Sequence, residues 1–139
     1  MKIHHFGYLT TSIKNSVKEF VSLGYIAIDK LYFDTLRGIK IQFIRSESGE
    51  LIELIESNSD VSVVQTLLPN SENKIYHICY HTSDIEKSIN DLEKKGFLLI
   101  SPPQPAVALK NKNVALLNGP VNKKTFLKNR PLMKPSPFQ

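Results

Sequence analysis

Two histidines and one glutamate are the residues of this chain whose types and spacing suit metal chemistry. His5 and His77 lie in two segments, residues 2–25 and 74–97, that align without a gap at an offset of 72. Neutral imidazoles that converge in a cleft are typical ligands of transition metals. A single histidine in a strand is more often structural, but two in register across a repeat favour a functional pair.

Glu53 offers the carboxylate that would complete such a site. It lies in the segment LIELIE, where Ile52 and Leu54 flank it. Because successive strand side chains point to opposite faces, Glu53 is predicted to be a lone carboxylate on the cleft face. Two imidazoles, a carboxylate and open positions suit several divalent ions, namely zinc, nickel, cobalt, manganese or iron.

The elements that must position these residues are themselves repeated. Eight of the 24 aligned positions are identical. In each copy a strand pattern is followed by an amphipathic helix, which Gly24 or Gly96 ends as a residue that tolerates positive φ. The predicted helix caps are Thr11 in the first copy and Ser83 in the second, where Glu86 completes a capping box.

Strand-like runs follow both helices. The first copy has YIAIDKLYF, IKIQFIR and ELIELIE, and the second has FLLI, VALK, NVALL and KTFLK, with a break predicted at Pro102, Pro103 and Pro105. Each copy therefore reads β-α-β-β-β, a unit that leaves one sheet face bare. We predict an α+β fold in which two tandem units, about 2–56 and 74–128, pair edge to edge into a half-open barrel with one shared cleft.

The predicted domain spans residues 1–128, with a link at about 57–73 and a basic, Pro-rich tail at 129–139. Residues 1–103 hold 11 Lys/Arg against 13 Asp/Glu, whereas residues 104–139 hold seven Lys/Arg and no acid, so the net charge of +5 comes from the end of the chain. Base-stacking aromatic residues are not interleaved with these basic residues, which argues against nucleic-acid binding.

Composition also bears on location and assembly. No run of about 18 apolar residues that could span a membrane occurs, and the N-terminus has no secretory leader pattern. The single cysteine, Cys79, is predicted to be a small buried hydrophobic residue, as suits a reducing compartment. We therefore expect a cytoplasmic protein. The unpaired sheet edges favour a homodimer.

The motifs HHFGY, ELIEL, YHICYHTSDIEKSI and NVALL resemble the vicinal oxygen chelate superfamily, and within it the glyoxalase I and methylmalonyl-CoA epimerase-like group. The resemblance covers residues 2 to about 117. It implies a divalent metal ion held by one ligand from each of four strands, three of them being His5, Glu53 and His77. The fourth ligand of the family is a glutamate on the last strand. Here the nearest counterparts are Thr125 to Lys128, and no acid follows Glu93.

The resemblance implies a metal-dependent lyase or isomerase that stabilises an enediolate. Its substrate would be a glutathione–methylglyoxal adduct or methylmalonyl-CoA. Loss of the last-strand glutamate would leave Glu53 as the catalytic base and impair the activity. The alternative is a metal-free small-molecule binding protein of the bleomycin-resistance type. In that case Lys128, in the fourth ligand position, would favour an anionic ligand.

Two further polar residues are candidates for the cleft. Lys40 and Gln42 alternate with apolar residues in the run IKIQF, so they either line the cleft or are exposed strand residues. A third hypothesis is an interaction protein that binds a partner through its basic tail.

Overall fold

The computed structural model describes residues 1–58, 73–121 and 124–129. Most of the predicted link at 57–73, and the predicted tail beyond Asn129, lie outside the described residues. The described elements are β1 (Ile3–Leu9), α1 (Ile13–Ser22), β2 (Ile26–Asp34), β3 (Ile39–Arg45), β4 (Leu51–Ser57), β5 (Lys74–Thr82), α2 (Ile85–Glu93), β6 (Leu98–Ala106), β7 (Lys112–Asn118) and β8 (Lys124–Asn129).

The strands form one eight-stranded sheet in the order β2-β3-β4-β1-β5-β8-β7-β6. Within each unit the first strand runs parallel to the last, β1 to β4 and β5 to β8, and the other neighbours are antiparallel. The two units join through the antiparallel pair of β1 and β5. The prediction of an α+β fold, with two β-α-β-β-β units paired edge to edge into a half-barrel, is confirmed.

The identical polar positions of the repeat hold the junction between the first strand and the helix. The hydroxyl oxygens of Thr10 and Ser16 lie 2.6 Å apart, and those of Thr82 and Ser88 are also 2.6 Å apart. Each threonine hydroxyl in addition donates to the carbonyl two residues later and accepts from the N–H of that same residue. These two identical positions, occupied by four residues, therefore encode the same turn twice.

This turn moves the start of each helix by one residue from the prediction. The caps are Ser12 and Asp84, not Thr11 and Ser83, because their side chains accept from the backbone N–H three residues later at 3.2 and 3.0 Å. Thr10 and Thr82 each form a turn with the residue two positions later. That later residue, Ser12 or Asp84, therefore faces the free N–H groups of the first helical turn and becomes the cap. The predicted positive φ of the two glycines is confirmed, at 92° for Gly24 and 93° for Gly96.

The predicted break in the second unit is also wrong. The Pro-rich segment lies inside a continuous strand, β6, whose register against β7 shifts between Leu99 and Ser101 and again between Ser101 and Gln104. β6 is the last strand of the sheet, and Pro102 and Pro103 lie within the second register shift; prolines are tolerated in edge strands and at bulges. The run VALK is a single 3₁₀ turn at Val107–Leu109 and not a strand.

Each helix covers the outer face of its own unit. Ile13 of α1 packs against Ile44, Ile52 and Leu54, and Ile85 and Ile89 of α2 pack against Ala115, Leu117 and Leu127. The concave face carries a separate cluster drawn from both units, which includes Leu9, Ile41, Ile55, Leu109 and Val114. Within the described part of the chain, neither helix has the length and apolar character needed to cross a bilayer.

The observed caps give a test with a matched control. Asp84→Ala is expected to lower the free energy of unfolding by about 1 kcal/mol, because the N–H of Lys87 loses its acceptor. The exposed neighbour Ser83 serves as the control, and Ser83→Ala is expected to change stability by less than about 0.5 kcal/mol. Urea unfolding followed by circular dichroism measures both. A larger loss from Ser83→Ala than from Asp84→Ala would contradict this assignment.

Candidate metal centre

The three predicted ligands meet on the concave face of the sheet. The Nε2 atom of His5 lies 3.3 Å from Oε2 of Glu53 and 3.2 Å from Nε2 of His77. All three side chains are buried, and their ligand atoms lie within 4.8 Å of one another. The strand register explains the convergence, because one residue of β1, Gly7, pairs with Glu53 on β4 and with His77 on β5.

Gly7 provides the space that the His77 ring occupies. A Cβ atom at position 7 would lie 2.0–2.4 Å from three atoms of the imidazole, far inside van der Waals contact. The φ angle of Gly7 is not positive, so backbone conformation does not require a glycine at this position. The close approach of the His77 ring does. The offset of the repeat places Cys79 at the equivalent position of the second unit, where its side chain is fully buried as predicted.

Aromatic rings hold the two imidazoles and exclude water from them. The His77 ring lies between Tyr76 and Phe126, at centroid distances of 4.5 and 4.3 Å, and the His5 ring packs on Phe43 at 5.5 Å. Burial lowers the pKa of His77 to about 3, and burial together with the neighbouring His77 holds the pKa of His5 well below 6.5. Both imidazoles are therefore neutral, which is the form that binds metal.

Glu53 is a buried carboxyl group without a strong cationic partner. Burial raises its pKa to about 8, and the charge of Arg37 opposes this only in part. Nδ1 of His77 is likewise buried, and it has no hydrogen-bond partner among the described residues. A divalent ion at this point would supply the positive charge that the carboxylate lacks.

The donor spacing agrees with such an ion. Ligand atoms about 2.0–2.1 Å from a tetrahedral zinc ion are separated from each other by roughly 3.3 Å. The separations of 3.2 and 3.3 Å from His5 to the other two donors match this value. By the type of their donor atoms, the neutral state of both imidazoles and the spacing, the three residues fit a divalent metal ion.

The position of the fourth family ligand is held by an aromatic ring. Gly7 pairs with Glu53 in the first unit, and its counterpart Cys79 pairs with Phe126 in the second. Phe126 is thus the symmetry-related counterpart of Glu53. The prediction that placed Lys128 in the fourth position is wrong by two residues along β8. Lys128 pairs with His81, whereas Phe126 pairs with Cys79.

Lys128 instead lies behind the site, on His4. Its Nζ atom is 3.3 Å from Nε2 of His4, and Nδ1 of His4 is 2.7 Å from Nδ1 of His5. An irregular register between Ile3 and His5 lets two adjacent strand residues bring their rings together. Sequence analysis did not single out His4 or His81 and so missed this contact. The paired histidines of IHHF were the available signal.

Lys40 and Gln42 do not lie in the cleft. They point to the helix-covered face of β3 and line a separate groove beside α1. Nζ of Lys40 is 2.6 Å from Oε2 of Glu56, and the Gln42 amide donates to the carbonyl of Ile28 at 2.9 Å. The alternation of β3 explains the placement, because Ile39 and Ile41 are the residues of this strand that face the cleft.

The three candidate ligands open onto a small cavity of about 50 Å³. Its wall is mostly apolar, with contributions from Ile39, Ile55, Ala106, Leu109, Val114 and Phe126. Arg37 also lines the cavity: its Nη1 donates to Oδ2 of Asp34 at 2.8 Å and to the carbonyl of Pro105 at 3.0 Å. Arg37 therefore ties the two units together across the cleft, a role that sequence analysis did not identify.

These features, a half-barrel of two β-α-β-β-β units with converging ligands in the shared cleft, define the class of protein. The chain belongs to the glyoxalase/bleomycin resistance protein/dioxygenase superfamily, whose family model matches residues 4–115. The resemblance to the vicinal oxygen chelate superfamily noted in the sequence is thereby confirmed. The match ends before β8, the strand that carries Phe126 and Lys128. No curated protein matches the chain.

Solved structures share the fold at low sequence identity. A hypothetical protein from Bacillus halodurans is 24% identical with a TM-score of 0.82, over 97% of this chain and 98% of that one. Methylmalonyl-CoA epimerase from Mycobacterium tuberculosis is 16% identical with a TM-score of 0.79, over 92% and 87%. The Streptomyces coelicolor epimerase, in complex with 2-nitronate-propionyl-CoA, is 16% identical with a TM-score of 0.77, over 94% and 98%.

The contact between Gly7 and His77 can be tested by a double-mutant cycle. Gly7→Ala is expected to lower the free energy of unfolding by about 1–3 kcal/mol, because the new methyl group overlaps the imidazole. Once the ring is removed, as in His77→Ala, the same change at position 7 should cost much less. Urea unfolding of the wild type, both single variants and the double variant gives the coupling energy. Additive effects would contradict the steric account.

Proposed function

We propose that this protein is a metal-dependent isomerase or lyase that acts on a small carbonyl or thioester substrate by stabilising an enediolate. The observation that carries the proposal is the convergence of His5, Glu53 and His77 at the wall of an apolar cavity. His5, Glu53 and His77 would hold a divalent ion, and the chemistry it would supply is Lewis-acid polarisation of the substrate oxygen. Three protein ligands with an open position are the usual pattern of a catalytic zinc site.

The cavity limits which part of a substrate reaches the site. Its volume of about 50 Å³ corresponds to roughly three or four water-sized spheres, enough for a short acyl group. A larger carrier, such as a coenzyme A or glutathione moiety, stays outside. This suits acyl-CoA molecules of the kind found in complex with the structurally similar epimerases, namely 2-nitronate-propionyl-CoA and methylmalonyl-CoA.

Two groups on the wall can handle a proton and a developing charge. Glu53, whose pKa burial raises to about 8, would be held as a carboxylate by the positive charge of a bound ion, and in that form it serves as the base that moves a proton on the substrate carbon. The Tyr76 hydroxyl stays protonated, because burial and the charge of Glu53 hold its pKa well above 10. It donates a hydrogen bond to the substrate oxygen as that atom becomes negative.

Phe126 favours the second candidate, a metal-free small-molecule binding protein. It places an apolar ring where the resemblance to the family implies a carboxylate, and it extends the apolar wall up to His77. In this alternative the buried His5–His77 pair and Glu53 bind polar groups of an organic ligand. The two candidates differ in whether the purified protein contains a metal ion.

Metal content by mass spectrometry, on protein purified without a His-tag or chelator, tests the proposal directly. We expect about one equivalent of a divalent transition metal in the wild type and a loss of at least tenfold in His5→Ala. His81→Ala is a suitable control, because it removes an imidazole outside the three-ligand set. Metal below a tenth of an equivalent, unchanged by His5→Ala, would favour the metal-free alternative. Isomerase and lyase assays are justified only if the wild type contains about one equivalent of metal and His5→Ala loses it.

Restoring a carboxylate at position 126 gives an independent prediction. Phe126→Glu places a carboxylate at the counterpart of Glu53 and is expected to raise zinc affinity at least tenfold, since it completes a four-ligand set. Phe126→Gln, with the same shape and no charge, is the control and should raise affinity much less. Competition with a chromophoric chelator measures both. Equal affinities for the wild type and Phe126→Glu would show that position 126 does not face the ion.

A further inference from the structure

We propose that Lys128, acting through His4, fixes the tautomer of His5 so that its metal-facing nitrogen carries a proton, and thereby opposes metal binding at the candidate centre. The inference rests on the proposed three-ligand site and deepens it. It assigns Lys128 and His4 as positioning residues that act on a ligand without contacting the ion.

The geometry is a continuous chain of four nitrogen-bearing side chains. Nζ of Lys128 is 3.3 Å from Nε2 of His4, and Nδ1 of His4 is 2.7 Å from Nδ1 of His5. The other nitrogen of His5, Nε2, is 3.2 Å from Nε2 of His77 and 3.3 Å from Glu53. Both nitrogens of His4 and both of His5 are thus engaged.

Counting donors fixes the direction of this chain. A lysine ammonium group has three donors and no acceptor, and a neutral imidazole has one donor nitrogen and one acceptor nitrogen. Lys128 therefore donates to Nε2 of His4, which leaves the His4 proton on Nδ1. That N–H donates to Nδ1 of His5, and the His5 proton is then on Nε2, directed at His77 and Glu53.

This arrangement is incompatible with metal coordination by His5. A ligand nitrogen must offer its lone pair, and in the chain just described Nε2 of His5 offers a proton instead. For His5 to bind an ion, both imidazoles must exchange tautomers, and His4 would then present an N–H to the Lys128 ammonium. Binding therefore requires that the contact between Lys128 and His4 be broken.

The spacing separates this chain from a second metal site. His4, His5 and Cys79 form another cluster of possible ligand atoms within 4.8 Å. However, the 2.7 Å between the two Nδ1 atoms is a hydrogen-bond distance and is shorter than the roughly 3.3 Å between ligands of a tetrahedral zinc ion. Lys128 also brings a positive charge to this side of His5, which disfavours a cation there.

The side chain at position 128 is well placed for this role. It is only 8% exposed, and its strand β8 pairs with β5 so that Lys128 is opposite His81, whose ring is 4.8 Å from that of His4. This low exposure favours the contact of Lys128 with His4 over contact with solvent.

Nitrogen-15 NMR of the metal-free full-length protein tests the tautomer directly. The wild type should show a protonated Nε2 and an unprotonated Nδ1 on His5, assigned by comparison with His5→Ala. In Lys128→Met this preference should be lost, whereas Lys128→Arg, which keeps the donor, should resemble the wild type. An unprotonated Nε2 on His5 in the wild type would overturn the proposal.

Zinc titration against a chromophoric chelator gives the functional readout. Lys128→Met and His4→Phe should each bind zinc about tenfold or more tightly than the wild type, because neither has to break a hydrogen bond to a charged group. Lys128→Arg should bind like the wild type. His4→Phe retains the lysine charge, so tighter binding by Lys128→Met alone would mean that charge repulsion acts without the tautomer, and would overturn the proposal.

The two readouts also separate this inference from the proposed function. If the NMR result holds and neither the wild type nor any variant binds zinc, the tautomer chain stands and the metal-dependent function fails. If zinc binds equally to all variants while Nε2 of His5 is unprotonated in each, the function stands and the role of Lys128 fails.

Discussion

The antiparallel pairing of β1 with β5 is the interaction on which the rest of this structure depends. It joins the two units, and it makes β1 the neighbour of both β4 and β5. Only a strand in that place can bring a carboxylate from one side and an imidazole from the other to a single residue, Gly7. A shift of one residue in this register would turn His77 to the helix-covered face, because side chains alternate along a strand. The register therefore determines both the core and the site.

Duplication alone would make the two sides of the cleft identical, and the departures from symmetry determine what the site can do. Glu53 and Phe126 occupy equivalent positions, yet one is a buried acid and the other an apolar ring. Gly7 and Cys79 are likewise equivalent, and the lack of a side chain at Gly7 lets the His77 ring lie against β1. The result is a one-sided centre, with its candidate ligands on β1, β4 and β5 and an apolar side chain on β8.

Much of this organisation could be predicted from the sequence, because it depends on alternation and on an in-register repeat. The position of Glu53 followed from its apolar neighbours, and the pairing of the units followed from their bare sheet faces. The same rule failed for Lys40 and Gln42, since alternation separates two faces without saying which one a helix covers. It also failed at Phe126, because the pairing of β8 with β5 sets that correspondence and no sequence spacing reveals it.

Features that depend on local irregularity could not be predicted. The contact between His4 and His5 needs a break in the register of β1, and the helix starts needed the threonine turns. Prolines in β6 were interpreted as a break because Pro cannot donate to a ladder, yet an edge strand needs only one side of its hydrogen bonds. In each case the prediction assumed a regular strand or helix. The actual conformation depends on where that element lies in the sheet and on its neighbours.

Electrostatics links these local features to function. The centre collects Glu53, two neutral imidazoles and, one ring further away, the ammonium group of Lys128 within a buried region. A carboxyl group alone in such surroundings stays protonated, and two buried imidazoles stay neutral, because each charge would have to leave water. A divalent ion, as proposed above, would reverse the balance for Glu53, whereas the proposed hydrogen-bond chain from Lys128 through His4 to His5 would oppose it. In the proposed function, metal binding therefore depends on the balance between the charge that an ion would supply to Glu53 and the cost of displacing the proton that His4 and Lys128 hold on His5.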